Sequence, residues 1–185
     1  MGSGAKKKET LLETEESFLK NVQFIVALCA GVFCNFTAHA GDSIVRTPLA
    51  GSNFPIAAAV TVPAGSDLVF VSGATASVVD SSAPAGSIAA YGNTETQTVS
   101  VLKALQASLD RVGLKLSDIV QLRVFLVGDP DKGGKMDFAG LQAGYTQFFG
   151  TKDQPNLPAR TTVQVASLAG PGLLVEIDAV AARSH

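Results

Sequence analysis

From Leu173 to Ala181 every second residue is apolar: Leu173, Val175, Ile177, Ala179 and Ala181 share one parity, and Glu176 and Asp178 lie on the other, between Leu174 and Val180. Successive side chains of a β-strand point to opposite faces of its sheet, so this stretch presents one apolar face and one face bearing carboxylates. A strand of that kind needs a sheet to pair with and a layer to cover its apolar side. It therefore excludes an all-helical fold and calls for helices elsewhere in the sequence.

Two stretches supply them. Between Thr94 and Val112 the apolar residues Val101, Leu102, Leu105, Leu109 and Val112 recur at helical spacing, with Thr94 placed to cap the start and Gly113 to stop the helix. Met136 to Phe149 reads as a second helix that buries Phe138, Leu141, Tyr145, Phe148 and Phe149. Short apolar runs bounded by turn residues give the other strands: Ile56 to Val62, Leu68 to Gly73, Ile119 to Val127 and Thr161 to Leu168. The first two read as a hairpin over Pro63 to Asp67, and the last two strands of the chain as another over Ala169-Gly170-Pro171. Asp42 to Asn53 reads as an irregular entry and residues 80–93 as a loop. The expected fold is α+β, in the order β-β-α-β-α-β-β, with a mixed sheet and both helices on one face.

A second polar row precedes the first. Arg160, Thr162 and Gln164 share a parity, and a hairpin would set them beside Glu176 and Asp178 on the uncovered face. The residues alone leave two readings: a solvated face with a cross-strand ion pair, or a lined binding surface.

The N-terminal forty residues are set apart. Val22 to Phe36 is almost wholly apolar and ends in Ala38-His39-Ala40, the pattern of a signal segment cleaved after Ala40. An uncleaved anchor and a buried helix are the other readings, although the run is short of the ~20 apolar residues that a membrane span needs. Leu28 and Phe33 precede the two cysteines, which argues against a lipid-anchored cysteine. Ahead of this run, Met1 to Gly4 is tag-like and Glu9 to Glu16 is acidic for a signal segment. The expected division is 1–40 tag-like extension and signal peptide, 41–53 entry segment and 54–185 the functional domain. The expected location is periplasmic or secreted, with no stable membrane anchor after cleavage.

Counts narrow the chemistry of that domain. Cys29, Cys34 and His39 fall in the first forty residues, and His185 is the last residue, so the body holds no cysteine and no internal histidine. Neither a Ser-His-Asp unit nor a His/Cys zinc site can be assembled from it, and no metal or other cofactor is expected. The formal net charge is −2, which disfavours nucleic acid as a partner.

Leu68-Val69-Phe70-Val71-Ser72-Gly73, Glu95-Thr96-Gln97-Thr98 with the helix that follows, Gly113-Leu114 and Asp118-Ile119-Val120 resemble motifs of the RidA (YjgF-type) imine deaminase family. Tyr145-Thr146-Gln147-Phe148-Phe149, Pro158-Ala159-Arg160-Thr161-Thr162-Val163 and Val175-Glu176-Ile177-Asp178-Ala179-Val180-Ala181 complete the match, from about Phe54 to Ala182. The resemblance implies a chorismate-mutase-like fold, a homotrimer with clefts between subunits, and hydrolysis of 2-imino or 2-enamino acids to 2-keto acids and ammonia. It further implies that Arg160 clamps the substrate carboxylate, that Glu176 orients the attacking water, and that Ser72 and Gly73 edge the pocket. Thr162, the second candidate for positioning the water, stands where the best-known members carry a cysteine, and Gln142, a candidate substrate contact, where they carry an asparagine. The family's early tyrosine falls on Ile56 to Ala59, which has no aromatic hydroxyl, and Asp129 to Lys135 is longer than the usual connection. A non-catalytic trimeric binder of small carboxylates and an RNA-cleaving relative are the alternative functions.

Overall fold

The structure is a computed structural model that describes residues 43–185; the expected signal segment lies outside them. Six strands form one mixed sheet: β1 (Val45–Pro48), β2 (Ala57–Thr61), β3 (Asp67–Thr75), β4 (Ile119–Val127), β5 (Ala159–Val165) and β6 (Val175–Arg183). Among the described residues three α-helices accompany them: α1 (Ile88–Tyr91), α2 (Thr94–Asp110) and α3 (Phe138–Tyr145). The domain is α+β, as the alternating blocks of the sequence require.

The alternation in β6 performs as expected. Val175, Ile177, Ala179 and Ala181 are at most 2% exposed and pack with Val101, Leu102, Leu105 and Leu109 of α2 and with Leu122, Val124 and Leu126 of β4. Asn93, rather than Thr94, caps α2 by accepting a hydrogen bond from the Thr96 backbone N–H. The helix ends in a left-handed glycine, Gly113. Val112 lies beyond the helix and is exposed.

Strand pairing departs from the expectation in both proposed hairpins. The order across the sheet is β1-β2-β5-β4-β6-β3. β2 pairs with β1 and, at the single position Ala57 opposite Ala159, with β5, whereas β3 lies at the far edge against β6. β4 sits between β5 and β6, parallel to the first and antiparallel to the second. Two further elements arise where loops were expected. The entry segment contains β1, fastened by Arg46, which donates to the carbonyls of Ser117, Ile119 and Leu157. The Ser/Gly-rich stretch contains α1, capped by Ser87.

Register decides which residues share a face. Leu122 lies opposite Arg160 on one side and Ala179 on the other, and Val124 lies opposite Thr162 and Ile177. Laterally paired residues point the same way, so Arg160 and Thr162 project toward the helices. Glu176 pairs with Phe125 and Asp178 with Arg123, on the opposite face. The two polar rows are therefore not neighbours.

Candidate functional site

On α3, Phe138, Gln142 and Tyr145 stand at i, i+4 and i+7, which places them on one stripe of the helix. That stripe faces Arg160. The central guanidinium carbon lies 4.4 Å from the Tyr145 ring centroid, 5.8 Å from that of Phe138 and 5.4 Å from that of Phe54. Phe54 and Phe138 are themselves stacked, 6.1 Å apart with planes 10° from parallel. A guanidinium keeps its charge and binds aromatic faces better than an ammonium does, so a ring cage suits arginine specifically.

The cage leaves the cation incompletely served. Burial lowers the Arg160 pKa, with the Tyr145 side chain acting weakly in the other direction. Its Nη1 is buried and has no hydrogen-bond partner among the described residues. The same holds for Thr162 Oγ1, two residues further along β5, and for Gln142 Oε1 on the facing stripe. Each such atom costs roughly 1–3 kcal/mol when left unpaired. One charged donor and two acceptors, each buried without a partner on the facing surfaces of β5 and α3, suit a small anion that also carries a hydrogen-bond donor.

Tyr145 organises this cage. It is fully buried, stacks on Phe149 at 4.7 Å and donates its hydroxyl to the Pro55 carbonyl at 2.9 Å. Burial pushes its pKa well above the ordinary phenol range, so the hydroxyl remains a donor. The bond holds the segment carrying Phe54 over Arg160. Phe54 was not singled out from the sequence; its only signal was an aromatic residue at the domain's first position.

Ser72, Gly73 and Glu176 form a separate cluster on the other face. In β3 the pairing jumps from Val71 opposite Ala179 to Ala74 opposite Ile177, so Ser72 and Gly73 together oppose Asp178 in a β-bulge. A Cβ at Gly73 would collide with the Glu176 carboxylate, so the missing side chain makes the room that this carboxylate occupies. The cross-strand ion pair of this face is Arg123 with Asp178 at 2.8 Å, and not one involving Arg160. Within one chain, Arg160 and Glu176 stand on opposite faces with β4 between their strands, and they do not converge. Among the described residues no group of three or more His, Cys, Asp or Glu is placed to hold a metal ion.

Fold and cage together define a small α+β domain with a half-buried, aromatic-caged cation on the helical side of its sheet. Comparison with known proteins gives the family. The model of the endoribonuclease L-PSP family matches residues 52–183. A RutC family protein of Haemophilus influenzae is 39% identical over 82 residues, which are 44% of this chain and 58% of that protein. A 2-iminobutanoate/2-iminopropanoate deaminase of Salmonella typhimurium gives the same identity and coverage. The chain thus spans somewhat under two thirds of these relatives' length. Among solved structures, TdcF of E. coli with bound serine has a TM-score of 0.50 and 30% identity, covering 75% of this chain and 94% of that one. The Rid family protein YyfB of Yersinia pestis shares the fold, with a TM-score of 0.57 over 76% of this chain and 98% of that one, at 23% identity. The chain belongs to this family, that of the RidA/YjgF proteins.

Proposed function

We propose that this protein hydrolyses reactive 2-imino or 2-enamino acids to 2-keto acids and ammonia. The observation that carries the reading is the buried Arg160 Nη1 without a partner. An always-charged, desolvated donor is matched by a carboxylate, which a 2-imino acid supplies next to the reacting carbon. Gln142 Oε1 and Thr162 Oγ1 are then acceptors for the imine or iminium N–H.

Hydrolysis also needs a group to orient water and take its proton, a role suited to a carboxylate. Glu176 of the same chain faces away from Arg160, so the reading requires assembly: Arg160, Thr162 and Gln142 from one subunit meet Ser72, Gly73 and Glu176 from a neighbour. The uncovered sheet face supports it. Phe70 is 76% exposed there, with Leu68 exposed beside it on β3 and Val163 exposed across the sheet on β5, apolar residues that a partner subunit would bury. A homotrimer, as the resemblance implies, would close three such sites. Export of the chain, through the segment ending at Ala40, is part of the same proposal and places the reaction outside the cytoplasm.

The test is ammonia release from a 2-imino acid generated in situ, with the 2-keto acid product titrated separately. Ammonia release above the spontaneous rate, lowered at least about tenfold in Arg160→Ala, supports a deaminase. Keto-acid binding at Arg160 without acceleration would instead make the protein a carboxylate binder, a reading favoured by Thr162 in place of a thiol and by the lack of an aromatic hydroxyl at Ile56 to Ala59.

A further inference from the structure

Gln164 is the third residue of the row that begins with Arg160 and Thr162, and both ends of its amide are engaged. Its Oε1 accepts from the Met136 N–H at 2.8 Å, and its Nε2 donates to the Gly134 carbonyl at 3.0 Å. These partners belong to the lengthened connection between β4 and α3. That connection is closed on itself: the Asp129 N–H donates to the Lys135 carbonyl at 3.0 Å, and the Gly134 N–H to the Asp129 carbonyl at 2.9 Å. It also runs hard against β4, because a Cβ at Gly128 would collide with the Gly134 carbonyl. Two residues after the clip, Phe138 begins α3 and stacks against Phe54 beside Arg160.

We propose that Gln164 and the loop it clips are the far wall of the substrate pocket and set the length of side chain the site accepts. The inference rests on the Arg160 reading of the preceding section. The carboxylate is held at Arg160. Thr162 Oγ1, the buried acceptor next along β5, marks where the reacting carbon and its nitrogen lie. The substituent on that carbon then continues along the row toward Gln164. At about 3.3 Å per residue, Arg160 and Gln164 stand about 13 Å apart along the strand. With the Gln164 amide and the Gly134–Met136 backbone closing the far end of that row, the site takes a short substituent. Gln164 is exposed and pairs only with loop backbone, so it is a positioning residue and not part of the catalytic group.

The experiment compares 2-ketobutanoate with 2-ketooctanoate, by calorimetry, on the assembled wild-type protein and on Gln164→Ala, Gln164→Leu and Gly128→Ala. Wild type should prefer the short acid by roughly tenfold or more, the scale on which a closed pocket discriminates added methylenes. Gln164→Ala and Gln164→Leu remove the clip, and Gly128→Ala pushes Gly134 from the other side. All three should shrink the preference by at least about fivefold, chiefly through tighter binding of the long acid. Equal wild-type affinity for the two acids, or a ratio unchanged in every variant, overturns the proposal while leaving the Arg160 site standing. If wild type binds neither acid, or if Arg160→Ala binds both as wild type does, the Arg160 reading falls and this inference falls with it.

Discussion

The Arg160 guanidinium lies 4.4 Å from the centroid of the Tyr145 ring, and the hydroxyl at the far end of that ring donates to the Pro55 carbonyl. One side chain thus supports the cation from below and fixes the segment that carries Phe54 above it. This coupling explains why a fully buried tyrosine ends the short helix α3, where a phenylalanine would fill the core equally well.

The first prediction separates the two roles. Tyr145→Phe keeps the ring beneath Arg160 but leaves the Pro55 carbonyl without its donor. Stability should fall by about 1 kcal/mol, the net contribution of an ordinary hydrogen bond. Keto-acid affinity should fall modestly, as Phe54 loses its tether. Tyr145→Ala removes the ring as well and should cost about 3–5 kcal/mol. Denaturant unfolding and calorimetric titration read the two effects independently.

Arg160 itself sets the largest expected effect. Its charge-assisted bonds to a carboxylate are worth about 1.5–3 kcal/mol, so Arg160→Ala should weaken 2-keto acid binding and imine turnover by at least about tenfold. Arg160→Lys should recover only part of the loss, because an ammonium cannot make the two-pronged contact. Normal binding by a folded, assembled Arg160→Ala protein would remove the clamp from the mechanism.

Arg46 tests the fold rather than the site. Its guanidinium is half-buried and serves three carbonyls on two separate segments, at 2.8–2.9 Å. Burial lowers its pKa, opposed by the Asp118 carboxylate and, more weakly, by Tyr145. Arg46→Ala strands those carbonyls and should cost about 2–3 kcal/mol, in line with hydrogen bonds from a charged donor. Hydrogen exchange should speed up first in β1 and in the Leu157–Ala159 stretch that adjoins it.

How much of this was legible in the sequence follows from what periodicity encodes. The parity of β6 names its buried face without reference to any partner, and the helical repeat of α2 does the same for Leu102, Leu105 and Leu109. Relative orientation between strands is a different quantity. Arg160 and Glu176 each sit on an identifiable parity, but whether those parities face the same way depends on pairing, and a one-residue change of register reverses the answer. The turn at Ala169-Gly170-Pro171 suggested direct pairing of β5 with β6, yet β4 enters between them and pairs with both. Phe54 escaped notice for a related reason. It lies outside any strand or helix, and its place over Arg160 is set by a long-range bond from Tyr145 that no local pattern records.

The last prediction follows from the opposite faces of Arg160 and Glu176. If a site draws Arg160 from one subunit and Glu176 from its neighbour, two disabled variants should repair each other. Arg160→Ala retains a sound Glu176 cluster, with Gly73 still making room for the carboxylate. Glu176→Gln retains a sound Arg160 cage, so it should bind 2-keto acids nearly as wild type does while turning over slowly. In cyclic trimers assembled from an equal mixture, each site takes its two halves from different chains, and about one quarter of sites should receive both sound halves. Unfolding the two variants together and refolding them should therefore restore about a quarter of wild-type deaminase activity, whereas mixing them without dissociation should restore none. A site contained within one chain predicts no recovery under either protocol, because every chain carries one lesion. Gly73→Ala supplies the control: its methyl group collides with the Glu176 carboxylate, so it should behave as a lesion of the Glu176 half. It should complement Arg160→Ala and fail to complement Glu176→Gln.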